Sequence, residues 1–295
     1  MAKPPLQYRT VFISDVHLGS VACKIEEFNE FLASFHAESI YLVGDIVDVW
    51  MVVKKGKWRP EHTTAVKRLL DKSEQGCTIH YLPGNHDTFA RSIGSLEMGN
   101  IRIADTFVHE TADNRKLLVI HGDQFDASVR SFAVAFTSAW VYEVITMYRL
   151  ATRKSKSSSG KLKRSFKKLI SIMGKYEEKL VLAAQTEDCD GVICGHIHRP
   201  DLTLIDEVIY GNTGDWVESC TCIVEHLDGR LELMTWDKMK AQMAEIGGSG
   251  SNKPPEPPIN EPRELRAESL IKQLAHKART SSGSSLGPIG ARRVR

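Results

Sequence analysis

Gly195–Pro200 reads GHIHRP and follows the apolar run DGVIC at 190–194. A run this short, bounded by glycine, is expected to be a strand that ends where the histidines begin. In extended backbone, residues i and i+2 face the same side. His196 and His198 are therefore expected to reach one point in space together. Neutral imidazole is a common ligand for zinc, iron, nickel and manganese-type ions. Two solvated loop histidines are the bland alternative, and the rest of the chain has to decide.

The same pattern recurs upstream. Val11–Ser14 is an apolar run ending in SDVH, Ser39–Val43 runs into GDIVD, Thr78–Leu82 into PGNHD, and Lys116–Ile120 into HGD. Helical spacing covers Phe28–Phe35 and Thr64–Ser73. Val208–Tyr210 leads to GNTGDW, and Thr221–Glu225 with Leu231–Thr235 reads as a closing antiparallel pair. Strands alternating with helices predict a layered α/β fold. In such folds ligand sites collect beyond the carboxyl ends of the strands. The strand-end residues are Asp15, His17, Asp45, Asn85, His121, His196 and His198. Oxygen and nitrogen donors without thiolate suit manganese, iron or zinc and are poor for calcium. Seven donors are too many for one tetrahedral ion and suit two ions sharing a carboxylate. Such a pair is the clamp used in phosphoryl-transfer hydrolysis.

The 295 residues are 42% hydrophobic and 26% charged, values of a globular protein with a core of normal size. No apolar window is long enough for a spanning helix, and MAKPPLQYRT lacks the apolar stretch of an export signal. Six cysteines without a CxxC pair are expected to be reduced packing residues in a cytoplasmic protein. The net charge of +2 is unevenly spread. Residues 149–179 hold eleven Lys or Arg against two acids, and residues 251–295 hold nine against four, which leaves a net −12 on the remainder. Phe132, Phe136, Trp140, Val144 and Tyr148 form one helical stripe. Leu162, Phe166, Leu169, Ile170, Met173 and Leu180 form a second. They predict a basic helical cap inserted at about 127–183, with helices packed on the main core as the alternative reading. Nineteen of the 49 residues from Gly247 to Arg295 are Gly, Ser or Pro, so 246–295 is expected to be a disordered basic tail after a domain spanning 1–245.

DxH, GDxxD, GNHD, a histidine before Gly-Asp, and GHxH occur in that order, and this arrangement resembles the calcineurin-like metallophosphoesterases. The resemblance runs from about Phe12 to Thr221. It implies a four-layer αββα sandwich carrying the cap, with two divalent metal ions at the strand ends. Manganese is the first expectation for both, and iron(II) and zinc are the alternatives. The family pattern puts Asp15, His17, Asp45 and His198 on the first ion, and Asp45, Asn85, His121 and His196 on the second. It also places His86 near the leaving group as a catalytic residue, with Asp87 expected to orient it.

Within that family, GDIVDVW, HGDQFD and GHIHRP resemble segments of the UDP-2,3-diacylglucosamine pyrophosphatases of lipid A synthesis. The resemblance implies hydrolysis of a nucleotide-linked lipid to UMP and a lipid phosphate. It makes Asp126, Arg130, Arg164, Lys167 and Lys168 candidate substrate contacts, and Phe136 and Trp140 candidate acyl-pocket walls. Peripheral contact with an anionic membrane at the cytoplasmic face follows as an expectation. His86 stands where those enzymes usually have Arg, and GNTGDWVES replaces their GAWH-type segment. A phosphatase or phosphodiesterase for another phospholipid or a nucleotide is therefore the alternative. Nucleic-acid binding is not expected, since aromatics are sparse in the basic segment and the body is acidic.

Overall fold

The computed structural model describes residues 6–55, 58–128 and 174–247. The candidate contacts Arg130, Arg164, Lys167 and Lys168, the residues Phe136 and Trp140, and the tail beyond 247 lie outside them.

Twelve strands among the described residues form two sheets. The first takes β1 (Leu6–Ile13), β2 (Phe35–Val43), β3 (Thr78–Leu82), β4 (Leu96–Met98), β5 (Ile101–Ile103), β11 (Thr221–Glu225) and β12 (Leu231–Thr235), in the order β12-β11-β1-β2-β3-β5-β4. The second takes β6 (Thr106–Glu110), β7 (Lys116–Ile120), β8 (Gly191–Cys194), β9 (Asp201–Ile205) and β10 (Val208–Asn212), in the order β6-β7-β8-β10-β9. β1, β2, β3 and β5 run parallel, as do β7, β8 and β10. The helices are α1 (Ile25–Ser34), α2 (Val49–Lys55), α3 (Pro60–Glu74), α4 (residues 174–186) and α5 (Trp236–Gly247).

Period-two alternation sorts the side chains into three buried layers. Val11 and Ile13 of β1, Ile40 and Leu42 of β2, and Cys222 and Val224 of β11 face a core shared with Phe28, Phe31 and Leu32 of α1, Ala65 and Leu69 of α3, and Met239 of α5. Their neighbours Phe12, Tyr41, Val43 and Ile223 meet Leu117, Val119 and Ile193 of the second sheet in a layer between the sheets. Leu118, Ile120, Val192 and Cys194 face outward onto Tyr176, Leu180, Val181 and Ala184 of α4. The order helix, sheet, sheet, helix follows from those three layers and is the expected αββα sandwich.

Strands β1, β2 and β10 differ from their expected bounds, β10 running on from Tyr210 to Asn212. β1 begins at Leu6 rather than Val11, because Leu6 and Tyr8 continue the alternation and pair with Phe35 and Ala37. Phe35 accordingly opens β2 instead of closing the preceding helix. Residues 174–183, assigned by spacing to the end of the insertion, belong to α4 and bury Leu180 against the second sheet. All six cysteines are free, and Cys220 alone among them is not fully buried.

Candidate metal centre

The loops after β1, β2, β3, β7 and β8 open at the carboxyl ends of parallel strands and converge. Their backbone is not extended. Asp15, His17, Asp45, His196 and His198 have φ of +51°, +52°, +54°, +71° and +51°. Left-handed backbone costs an L-residue about 1–2 kcal/mol, so other contacts must impose it. Hydrogen bonds between loops supply them: Asp15 N donates to Gly44 O at 3.0 Å, His17 N to Asp45 O at 3.0 Å, and Leu18 N to Ile46 O at 2.8 Å. The expectation that His196 and His198 share one point through extended spacing fails here. The strand ends at Cys194, and the turn sends the two imidazoles to different partners.

His198 joins Asp15 and His17 in one group; His196 joins Asp45 and His121 in another. In the first, Asp15 Oδ1 lies 3.1 Å from His198 Nε2 and 3.9 Å from His17 Nε2. The two Nε2 atoms face each other at 3.3 Å. Asp15 Oδ2 is held by the His196 amide at 2.9 Å and by the Ser14 hydroxyl. Oδ1 is buried without a hydrogen bond. In the second group, His121 Nε2 lies 3.5 Å from Asp45 Oδ2 and 3.3 Å from Asn85 Oδ1. His121 Nδ1 donates to Val43 O at 2.9 Å, which leaves the Nε2 lone pair for a ligand bond. Asp45 also falls in a group with His17 and His86, so its carboxylate spans the two halves. A Cβ at Gly84 would strike the Asp45 carboxylate, and one at Gly195 would strike Ser14 and Asp15. Those glycines are what let the loops close on the carboxylates.

Charge tells the same story. Burial alone would raise Asp15 and Asp45, yet His198 and His121 hold both carboxyls below the ordinary range. Burial opposes the charge on the imidazoles too, but Asp45 pushes His121 up to about 10 and Asp15 pushes His198 up to about 9. His17 goes down through burial. Protons thus stand in for cationic charge that the carboxylates demand.

Residues 8–200 match the family model described as calcineurin-like phosphoesterase. The chain belongs to that family. Two curated relatives of this calcineurin-like phosphoesterase are named UDP-2,3-diacylglucosamine hydrolase. One, from Photorhabdus laumondii, is 27% identical over 70% of this chain and 90% of its own. The other, from Aliivibrio fischeri, is 26% identical over 74% and 94%. Among solved structures, the E. coli phosphoesterase Yfce is similar at 15% identity over 78% of this chain and 94% of that one, with a TM-score of 0.41. The protein is a phosphoester hydrolase.

Calcineurin-like phosphoesterases use a dinuclear metal site, and the donors here fit one. The orphaned Asp15 Oδ1, the facing Nε2 atoms and the carboxylate common to both halves would all be satisfied by divalent ions taking nitrogen and oxygen donors. The structure brings together all seven candidate ligands, and His86 beside them. Asp87 does not orient His86. It accepts from Tyr81 Oη at 2.6 Å and from the amides of Gly84 at 2.5 Å, Asp45 at 3.3 Å and Ile46 at 2.9 Å. It therefore braces the loop that presents Asp45. The carboxylate facing His86 is Asp48, 3.4 Å from Nδ1 and also 3.8 Å from His17 Nδ1. Its signal was in plain view as the second Asp of GDIVD. Three further supports were missed. Asn212 donates to Gly195 O at 2.7 Å, Ser14 bonds Thr213 at 2.6 Å, and Arg91 forks onto Asp123 at 2.6 and 2.8 Å. The last pair ties the loop after β3 to the loop after β7. Asp126 lies on the 3-10 helix Asp123–Ser128 that follows His121.

Proposed function

We propose that this phosphoester hydrolase cleaves the pyrophosphate of UDP-2,3-diacylglucosamine, or of a similar nucleotide-linked lipid, to UMP and a lipid phosphate. The observation carrying the substrate is the run of relatives named for that activity, matched over 90% or more of their length in the two cases above. The resemblance of GDIVDVW, HGDQFD and GHIHRP to those enzymes supports it. The uneven charge along the sequence supports it as well, since the basic run 149–179 suits phosphates and anionic membrane. No described helix is long and apolar enough to cross a membrane.

Asp15, His17, Asp45 and His198 would hold one ion, and Asp45, Asn85, His121 and His196 the other; manganese is the proposed metal for both. Two such ions supply a nucleophilic water near neutral pH and positive charge against the phosphoryl oxygens. His86 supplies the proton. Its Nδ1 faces Asp48, which raises its pKa above the ordinary histidine value despite burial. A protonated imidazole in that position can donate to the departing oxygen. Asp87 and Gly84 keep Asp45 in place while this happens.

His86 in GNHD and the GNTGDW turn favour a second reading, a phosphatase or phosphodiesterase for another phospholipid or a nucleotide. One panel separates them: UDP-2,3-diacylglucosamine, other lipid phosphates and bis-p-nitrophenyl phosphate, each with added manganese. Release of UMP from the first supports the proposal. Turnover confined to the small water-soluble ester contradicts it.

A further inference from the structure

Arg91 stands six residues past Asn85, on the 3-10 helix Thr88–Ile93 that follows GNHD. Its guanidinium reaches three segments. Nη2 and Nη1 donate to the two carboxylate oxygens of Asp123 at 2.6 and 2.8 Å. Nη2 also donates to Pro83 O at 3.1 Å, and Nε lies 3.6 Å from Asp105 Oδ1. Pro83 opens the loop that carries Asn85. Asp123 comes two residues after His121. Asp105 lies between β5 and β6, where the chain passes from the first sheet to the second. Arg91 therefore joins the two sheets at their seam.

The donors assigned to one of the two ions are split across that seam. Asp45 and Asn85 follow strands of the first sheet, whereas His121 and His196 follow strands of the second. Asn85 Oδ1 lies 3.3 Å from His121 Nε2. An amide oxygen carries no charge to draw a cation in, so it contributes only where the backbone holds it. Asp87 secures the Asn85 loop to the loop after β2. The Arg91 fork secures it to the loop of His121. A single exposed ion pair contributes little. This one is bidentate, and the Asp123 side chain is 11% exposed, so direction and distance are both fixed.

We infer that Arg91 is a positioning residue for the ion held by Asp45, Asn85, His121 and His196. With Asp123 it sets the spacing of Asn85 and His121 across the two sheets. The ion of Asp15, His17 and His198 does not depend on it, because that half is braced elsewhere: Ser14 bonds Thr213 at 2.6 Å and the His196 amide holds Asp15 at 2.9 Å. The inference rests on the proposed assignment of ligands to two ions and is independent of the substrate.

The test is calorimetric titration of manganese into the chelator-stripped full chain, with bound metal counted after equilibrium dialysis. Wild type is compared with Arg91→Lys and Asp123→Asn. Lysine keeps the charge of Arg91 and loses its fork. The wild type is expected to bind two equivalents. In each variant one equivalent should keep its wild-type affinity and the other should weaken about 10–100-fold, the scale for groups that orient metal ligands. R91K/D123N should be no weaker than the poorer single variant, since either change already breaks the fork. Melting in chelator isolates any folding defect, which would leave the two equivalents alike. Unchanged affinities, equal weakening of both equivalents, or losses that add in the double variant overturn the inference. So does wild-type binding by R91K, since charge without the fork would then suffice. One equivalent bound by the wild type removes the paired-ion reading and the inference with it. Two equivalents in the wild type and the same two affinities in R91K remove the inference alone.

Discussion

Among the described residues, two of the buried carboxylate–imidazole pairs are finished in opposite ways. Glu225 and His109 sit where the sheets meet, away from the strand-end loops. Glu225 Oε2 lies 2.7 Å from His109 Nε2, while Oε1 accepts from Arg9 Nη1 and the Ala112 amide, each at 2.8 Å. His109 Nδ1 lies 3.3 Å from the Tyr41 hydroxyl. Both carboxylate oxygens and both ring nitrogens have partners. Asp15 and His198 at the strand ends are as well buried on the carboxylate side, but Asp15 Oδ1 has no hydrogen bond and two Nε2 atoms point at each other. Buried polar groups are nearly always satisfied. The first pair is complete and holds sheets together; the second is completed only by a cation. Burial and residue type do not separate them. Satisfaction of the donor and acceptor positions does.

That contrast can be broken most sharply at Asp45, the carboxylate common to both halves. Asp45→Ala should cost 10³-fold or more in turnover, on the order of losing a principal electrostatic stabiliser. Bis-p-nitrophenyl phosphate hydrolysis checks this, with melting in chelator to show that the chain still folds. His86→Ala should lose about 10²–10⁴-fold, the usual contribution of a positioned proton donor, while keeping its metal content. Turnover equal to wild type would remove His86 from the reaction. Asp48→Asn should lose less, about 10–100-fold as for partners that orient a site residue, and should move the alkaline limb of the pH profile down, since Asp48 is what raises His86; Asp87→Asn should not move that limb. The smallest effect on turnover belongs to the satisfied pair. Glu225→Ala leaves His109 and Arg9 without their partner and should cost about 3–5 kcal/mol of stability, read by denaturant unfolding, with the turnover of the folded fraction unchanged.

Acidity sharpens the same comparison. In the ion-free protein, Asp45 pushes His121 up to about 10 and Asp15 pushes His198 up to about 9, above the unfolded value near 6.5. The stability those protonated pairs lend is therefore full below about pH 6.5 and is lost as pH rises through 9 to 10. Ion binding must displace the same protons, so apparent affinity falls as pH is lowered from that range. Calorimetric titration with manganese in two buffers of different ionisation enthalpy should show net proton release. Binding independent of buffer would mean the imidazoles are already neutral.

Much of this was legible in the chain. β3, β7, β8, β11 and β12 were read with the bounds they have, because each is a short run rich in apolar residues; those of β3, β7 and β8 give way at once to Pro83, His121 and Gly195. The seven ligand candidates were legible for the same reason: each stands just past such a run. Their conformation was not. Left-handed φ at Asp15 or His198 is imposed by contacts between loops that are remote in sequence, such as Asp15 N to Gly44 O, and local pattern carries no trace of them. The exchange of Asp87 for Asp48 has a similar origin. Adjacency favoured Asp87 as the partner of His86, yet its side chain turns the other way, into the amides of residues 45 and 46. The edge strand β4 and its neighbour β5 are three residues each, too short for a period to show.

A paired-ion site closed by one shared carboxylate, Asp45, underlies all of these outcomes. Stripping the full chain with chelator, titrating manganese back, and measuring bound metal and bis-p-nitrophenyl phosphate turnover on the same samples tests it most directly. The account predicts two equivalents bound per chain, turnover that requires both, and loss of stoichiometric binding in Asp45→Ala. One equivalent sufficing for full turnover, or full turnover in stripped protein, would contradict it.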